Sequence, residues 1–363
     1  MKKSLIALAV LAASGAAMAQ SSVTLYGVAD AAVTYVNGLD NWTGLSSGAN
    51  KTSRLGFRGV EDLGGGLKAN FVLEGGFNLD AGDGKSGGAT DSGFQFKRQS
   101  TVGLAGNFGE VRLGRELTAA YNATARYDVF GSVGIAHSQL WDDGQKLDTK
   151  TMADRYHYMP NSRVSNAITY VSPNFSGFKA AVNYGFGEIA GENRDGRYFG
   201  GGLTYDNGPL SLGLGAERMN KGDGAAMQAQ VSHDITAWSL GGSYDLGVAK
   251  LLAGYRQSTA KDVMGLGDLK NRGYMLAVTA PVGPGLVRAA YNRYETKFDG
   301  DKGVTDQFGL GYVYNLSKRT SVYGTYAYIK NKDDNALNLS VGSGGVKTNG
   351  SQQAVQVGVT HAF

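Results

Sequence analysis

Residues 23–36 read VTLYGVADAAVTYV, and their side chains alternate between two kinds. One parity carries apolar residues, among them Val23 and Val33, whereas the other carries Asp30 and Thr34. Because successive side chains of a β-strand point to opposite faces, this pattern predicts a strand with one apolar and one wet face. Repeated segments of about ten such residues are typical of strands that cross a membrane in a barrel.

The same alternation recurs along the chain, for instance over residues 67–77 and 306–315. In the second of these, Phe308 shares a parity with other large apolar residues, while Gly309 and Gly311 occupy the opposite parity. Glycine at inward positions leaves room inside a barrel. A soluble sandwich would instead place bulky residues on both of its inner faces.

Short and long connections alternate between these segments. Short turns are predicted at 62–66, 106–109, 172–177, 207–209, 245–247, 282–285 and 316–319. Long polar loops are predicted at 37–51, 78–93, 117–162, 188–195, 220–234, 259–271, 297–304 and 331–352. This alternation predicts an all-β fold, a transmembrane antiparallel β-barrel of about sixteen strands. Closure is expected because lipid offers no partners to the backbone groups of an open sheet edge.

The first residues of the chain predict export, and the remaining residues are predicted to form one domain. Residues 1–19 combine two lysines, a short apolar stretch and an Ala-Met-Ala site, which predicts a secretory signal peptide cleaved after Ala19. Residues 20–363 are predicted to form a single barrel domain. The formal net charge of +4 falls to near +2 without the signal, and basic residues are not clustered as nucleic-acid binding would require.

Several short stretches carry a likeness to a known family. They are, in chain order, 23–27 (VTLYG), 53–59 (SRLGFRG), 61–64 (EDLG), 102–104 (VGL), 113–115 (LGR), 172–175 (SPNF) and 359–363 (VTHAF). Their order resembles the general porins of Gram-negative outer membranes over essentially the whole mature chain. The resemblance implies a homotrimer, a third loop folded into the lumen and an arginine cluster facing that loop. The implied function is passive diffusion of small hydrophilic solutes and ions.

The third loop, 117–162, is far longer than an ordinary connection, and loops of that length are often functional. Its residues 127–131 (YDVFG) are similar to the family's acidic Pro-Glu-Phe-Gly turn, although the proline is missing and the acid is offset by one position. The resemblance identifies Asp128 as an acid of the pore constriction. The alternative is an ordinary solvated loop carboxylate.

Four basic residues are predicted to point inward by parity alone. Arg54 and Arg58 oppose the apolar parity of their strand, Arg163 opposes Ile168, and Lys68 follows the same rule. They form the predicted positive wall of the constriction.

Arg98 and Arg115 join this wall by resemblance, although simple alternation directs both toward lipid. A lipid-facing arginine near the midplane costs about 2 to 4 kcal/mol, and a β-bulge can re-aim a side chain. Both are therefore predicted to face inward. The wall has more cations than the acids Asp30, Glu74 and Asp128, which predicts anion preference. The alternative is a lumen of balanced charge.

The last strand ends in Phe363, with Val355, Val357 and Val359 on the same face. A terminal aromatic resembles the signal that the outer-membrane assembly machinery reads. That machinery is therefore a predicted partner. The family resemblance adds two further copies of the chain, outer-membrane lipid and lipopolysaccharide as partners, and the Gram-negative outer membrane as the predicted location.

Other function classes fit the sequence less well. The four histidines show no spacing typical of a catalytic or metal site, and there is no cysteine, so neither enzymatic activity nor a cofactor is predicted. A substrate-specific channel for a sugar or an organic anion is the main alternative. A secreted all-β adhesin is the third.

Overall fold

The structure, a computed structural model, describes residues 22–84, 93–142, 160–188, 196–220, 234–263, 267–339 and 345–363. The predicted signal peptide and its cleavage site lie outside these residues. The strands within them are β1 (Ser22–Asn37), β2 (Trp42–Ser47), β3 (Arg54–Gly64), β4 (Leu67–Asn78), β5 (Asp83–Gly84), β6 (Gln99–Gly106), β7 (Gly109–Leu117), β8 (Arg163–Val171), β9 (Phe178–Gly185), β10 (Tyr198–Asn207), β11 (Leu210–Asn220), β12 (Asp234–Asp245), β13 (Lys250–Ala260), β14 (Leu269–Val282), β15 (Gly285–Phe298), β16 (Asp301–Asn315), β17 (Thr320–Lys332) and β18 (Ser351–Ala362).

Apart from Val263, which has 3-10 geometry, the helical structure of the described residues is confined to one stretch after β7. It comprises α1 (Ala119–Thr124) and two 3-10 turns, Ala125–Tyr127 and Gln139–Trp141. None of the helices in the described ranges has the length and hydropathy needed to cross a bilayer.

The strands close into a ring. Each strand of the ring pairs antiparallel with its neighbours, and β18 returns to β1, from Val28 opposite Ala362 to Asn37 opposite Gln353. β2 and β3 share one position in the ring because both pair with β1, over residues 31–36 and 22–28 respectively. β5 is a two-residue strand at the end of β4. The described residues therefore form a closed 16-stranded antiparallel barrel, which confirms the predicted fold class.

The two faces of the barrel differ in the predicted way. Val33 and Val357, directly opposite each other on β1 and β18, are about 60% exposed on the outer face. Their neighbours in sequence Thr34 and Gln356 are buried on the inner face. A continuous apolar outer surface of this kind would be unfavourable in water and is expected where lipid contacts the protein.

Strand occurs inside several of the predicted loops, and two of these loops differ most from the prediction. Residues 42–47 of the first loop form β2, and the chain between β2 and β3 folds around Asp30. Both oxygens of this carboxylate accept hydrogen bonds from backbone amides, from Ala49 at 2.7 Å, Asn50 at 3.2 Å and Lys51 at 3.3 Å. Asp30 is fully buried, so its charge is directed at this backbone rather than at open solvent.

The second difference concerns residues 297–304, which were expected to form a long loop and instead belong to the β15–β16 hairpin. Asp299 and Gly300 make the turn with φ of 50° and 84°. Positive φ at both central residues is the geometry of the tight hairpin turn that Asp-Gly favours. The prediction is wrong because the strand ends here carry lysines on the outer face, and such polar strand ends have the composition of a loop.

Candidate functional site

The segment 118–142, after β7, packs against the inner face of the barrel. Its helix α1 lies on the glycines of β10 and β11, where a Cβ at Gly213 would overlap the carbonyl oxygen of Ala123. Farther along the segment, the Phe130 ring lies within 3.0 Å of where a Cβ would stand at Gly309 or at Gly311. The inward glycines of these strands therefore provide the space that this segment fills.

Polar side chains of the barrel satisfy the backbone of this segment. Gln356 accepts a hydrogen bond from the amide of Ile135 at 3.1 Å, and the Tyr294 hydroxyl accepts one from the amide of Gln139 at 2.9 Å. Arg256 donates to the carbonyl of Leu140 at 2.9 Å. Because buried backbone groups without partners are costly, these bonds fix the segment's position on the wall.

Asp128 lies inside the segment's own scaffold. It is 6% exposed and accepts hydrogen bonds from the backbone amides of Phe130, Ser132 and Ser138, at 3.0, 2.9 and 2.9 Å. This arrangement differs from both expectations for Asp128. The sequence predicted an acid of the pore constriction, and the alternative was an ordinary solvated loop carboxylate. Three amides from separate positions converge on one side chain, so the carboxylate organises the loop.

A buried histidine lies next to this carboxylate. His137 pairs with Asp142, with 2.9 Å between Nε2 and Oδ1, and its Nδ1 lies 2.6 Å from the carbonyl oxygen of Gly134. Burial alone would lower the pKa of His137, but the carboxylates of Asp142 and Asp128 outweigh it and raise the pKa to about 9. His137 is therefore charged at neutral pH.

A pH dependence of the segment follows from this pair. Because the folded-state pKa is raised, the charged form stabilises the segment fully below pH 6.5, and the contribution, on the order of 3 kcal/mol, is lost as the pH rises through about 9. Backbone amide exchange of residues 128–142, corrected for intrinsic pH effects, should accelerate between pH 7 and 10. The variant His137→Gln should lack this change, and equal acceleration in both proteins would contradict the assignment.

On or beside β3, β4 and β6, two of the predicted arginines contact one carboxylate. Glu74 of β4 pairs with Arg98 at 2.7 Å and lies 3.4 Å from Nε of Arg54. The Tyr26 hydroxyl donates to the same carboxylate at 3.1 Å. Glu74 lies on the inner face, directly opposite Gly56 of β3, so Arg98 reaches inward as the family resemblance implies.

Arg115 and Arg163 converge on the chain just before β6. Arg115 donates from Nε to the carbonyl of Lys97 at 2.7 Å, and Arg163 donates from Nε to the carbonyl of Arg98 at 3.0 Å. The β7–β8 register shifts between Gly114 and Glu116. The extra residue lies on β8, where Asn166 has a φ of 53°, whereas β7 keeps a regular register with β6 through Arg115 opposite Ser100, so Arg115 stays on the parity that simple alternation gives it.

The remaining two predicted cations are more exposed. Arg58 is directly opposite Thr24 and Val72 on the inner face, and its guanidinium lies over the Tyr26 ring at 5.3 Å. Lys68 lies at the start of β4, directly opposite Asp62 and close to the short turn between β3 and β4.

The structure thus gathers five arginines around Glu74 and residues 97–98, whereas Lys68 lies toward the short-turn end. We call these five residues the arginine wall: Arg54, Arg58, Arg98, Arg115 and Arg163.

The inner face also carries charged groups that the sequence pattern did not single out. Arg112 of β7 pairs with Glu110 at 3.0 Å and Glu116 at 2.8 Å. Buried Arg256 pairs with Glu217 at 2.8 Å. Inward parity alone would have found Arg112, since it alternates with apolar residues on both sides. Arg256 and Glu217 balance each other, whereas Arg112 with its two glutamates carries one formal negative charge, so neither group adds positive charge to the interior.

Phe363 closes the barrel at its short-turn end. Its backbone exchanges two hydrogen bonds of 3.1 Å with Gly27, and its ring lies where a Cβ on Gly27 would stand. Phe363 therefore completes the β1–β18 seam and is partly exposed on the outer face, in line with Val357 and Val359.

Comparison with known proteins gives concordant matches. The model of the Gram-negative porin family matches residues 5–334. Outer membrane porin protein 32 of Delftia acidovorans is 47% identical over an alignment that covers all of both chains. An outer membrane porin protein of Bordetella pertussis is 32% identical, and the alignment covers 91% of this chain and 95% of the other. The solved structure of an anion-selective porin from Comamonas acidovorans superposes with a TM-score of 0.81 at 44% identity, covering 95% of this chain and 100% of the other.

Proposed function

The chain belongs to the Gram-negative porin family, and from that membership we propose that it is a passive, anion-preferring diffusion channel for small hydrophilic solutes in the outer membrane. One observation carries the anion preference: in the arginine wall two guanidinium groups share a single carboxylate, Glu74, and the other three contact the Tyr26 ring and the backbone carbonyls of residues 97 and 98. Two of the acids that could have balanced this charge, Asp30 and Asp128, are occupied by backbone amides.

The proposed mechanism is electrostatic and steric. Segment 118–142 occupies part of the barrel's cross-section and narrows the water-filled gap beside the arginine wall. Fixed positive charge at a narrow aqueous passage raises the local concentration of anions and lowers that of cations. Small polar solutes pass with their hydration largely intact, and passage requires no catalytic step or cofactor.

Planar-bilayer recording in a salt gradient tests the proposal. With potassium chloride concentrated on one side, the zero-current potential is expected to take the sign that chloride diffusion produces. The magnitude should fall as the mean salt concentration rises, because screening shortens the reach of the wall from about 10 Å at 0.1 M to about 3 Å at 1 M. Cation preference would contradict the proposal.

Liposome swelling separates a general channel from a substrate-specific one. Rates that decrease smoothly with solute size are expected for sugars and organic anions alike. Saturation by one solute would favour a specific channel.

The assembly state and partners are part of the same proposal. Three copies form the functional unit, lipopolysaccharide and other outer-membrane lipid surround it, and the assembly machinery reads the β18 strand that ends at Phe363. Residues 20–363 act as one domain after removal of the signal peptide near Ala19. The exposed apolar outer face and the family membership support this assignment.

A further inference from the structure

An aromatic belt crosses the outer face of β12 to β16. Trp238 contacts Tyr255 with 4.8 Å between ring centroids, Tyr255 contacts Tyr274 at 5.1 Å, and Tyr291 contacts Phe308 at 4.9 Å. Toward the short-turn end, the outward positions of β14 are apolar as far as Val282. Aromatic residues at the edge of an apolar band mark the boundary between hydrocarbon and headgroups. The belt therefore marks the outer edge of the lipid-facing band.

On the long-loop side of this belt, the first outward side chains are charged. On each of four neighbouring strands, the next outward residue toward the long-loop end after an aromatic residue carries a charge. These pairs are Tyr274 and Arg272, Tyr291 and Arg293, Phe308 and Asp306, and Tyr328 and Lys330. The change from aromatic to charged side chains occurs at this point on four adjacent strands. It therefore forms a continuous boundary on the outer surface.

Above that layer, three lysines stand directly opposite one another. Lys270 of β14 pairs in register with Lys297 of β15, and Lys297 pairs with Lys302 of β16. All three are exposed, and directly opposite residues share one face of a sheet. Like charges in that arrangement destabilise the pairing of strands, so this lysine row is unfavourable unless an anion lies against it.

The neighbouring acids do not neutralise the row. Asp306 binds Arg293 at 3.2 Å and Lys332 at 2.9 Å. Glu295 lies 3.4 Å from Arg293 and 3.8 Å from Lys302. Each carboxylate is thus shared between two cations. The outward strand positions of this part of the surface carry seven basic residues and two acids, namely Lys270, Arg272, Arg293, Lys297, Lys302, Lys330 and Lys332 against Glu295 and Asp306. The hairpin turn adds two acids, Asp299 and Asp301, so the cations remain in excess.

We propose that the lysine row binds the phosphorylated headgroup of a lipid in the outer leaflet; the inference rests on the outer-membrane location proposed above. The position of the lysine row relative to the membrane favours a lipid over a free anion as its ligand. Lys270 lies four residues beyond Tyr274, which on a strand tilted by about 45° is roughly 9 Å above the belt. Lipid phosphates lie at this level, and each basic residue near a lipid surface contributes about 1 kcal/mol of attraction to anionic headgroups.

The test uses the purified full-length protein in detergent and two probes, lipid A with both phosphates and the same lipid without them. The variant K270Q/K297Q/K302Q removes three charges and keeps the length of the side chains. It should fold, since it relieves repulsion between the strands. The variant K318Q/R319Q/K347Q removes the same charge from exposed turn and loop positions and serves as the matched control.

Native mass spectrometry should show at least about tenfold weaker binding of phosphorylated lipid A to the lysine-row variant. The control variant should bind like the unmodified protein, and the dephosphorylated lipid should bind both weakly. Equal binding by the lysine-row variant, equal loss in the control, or full competition by millimolar inorganic phosphate would each overturn the inference. The reversal potential of the unmodified protein is measured separately, so failure of the lipid site and failure of the channel assignment are distinguishable.

Discussion

Replacing Arg58, Arg115 and Arg163 together by glutamine is expected to lower the anion-to-cation permeability ratio by about tenfold at low salt. A unit charge about 8 Å away in water shifts the energies of an anion and a cation by about 0.5 kcal/mol each, in opposite directions, and screening at 0.1 M roughly halves both. Three charges therefore change the ratio by about 1.5 kcal/mol, which is about a factor of ten. These three arginines are chosen because Arg54 and Arg98 contact Glu74. Removing either of those two would release a negative charge and confound the result.

The matched control for this experiment is the triple lysine variant, R58K/R115K/R163K. It keeps the positive charge but loses the forked geometry with which Arg115 and Arg163 hold the carbonyls of Lys97 and Arg98. Reversal potentials in a potassium chloride gradient should remain near those of the unmodified protein. If the lysine and glutamine variants lose selectivity equally, local structure rather than charge sets the preference, and the proposed role of the arginine wall fails.

The features of the barrel that sequence could predict are those set by side-chain alternation. A one-residue error in register would turn Val33 inward and Thr34 toward lipid, so the pattern fixes each face independently of the rest of the chain. Turn positions followed from glycine, as at the three consecutive positive-φ residues Gly64, Gly65 and Gly66. The same alternation placed arginines of β3 on the inner face.

The sequence could not predict features that depend on contacts distant in the chain. Asp128 resembled a pore acid in its local motif, but three amides of the folded loop enclose it. The charged state of His137 depends on Asp142 in a loop conformation that no periodicity encodes. Beside Arg115 the bulge lies on the neighbouring strand β8, between Val164 and Ala167, and alternation along β7 gives no sign of it. Such bulges are frequent beside functional sites.

The inward glycines give the second large expected effect. Gly213→Val should displace segment 118–142 from the wall and raise the single-channel conductance by about twofold or more. The new Cβ would overlap the carbonyl oxygen of Ala123, and a backbone atom cannot yield by changing rotamer. Overpacking of this kind typically costs about 1 to 3 kcal/mol. The strand itself favours valine, so the strain should be relieved by the segment and not by the barrel.

The control is Gly324→Val, which places the same side chain on a barrel strand where nothing lies within 4 Å of the added Cβ. Its conductance should equal that of the unmodified protein, and both variants should keep the heat-dependent mobility shift of a folded barrel. Increased protease cleavage within residues 118–142 of Gly213→Val alone would locate the change. If Gly213→Val conducts normally and resists cleavage, the segment does not depend on this contact, and its proposed role in narrowing the channel is wrong.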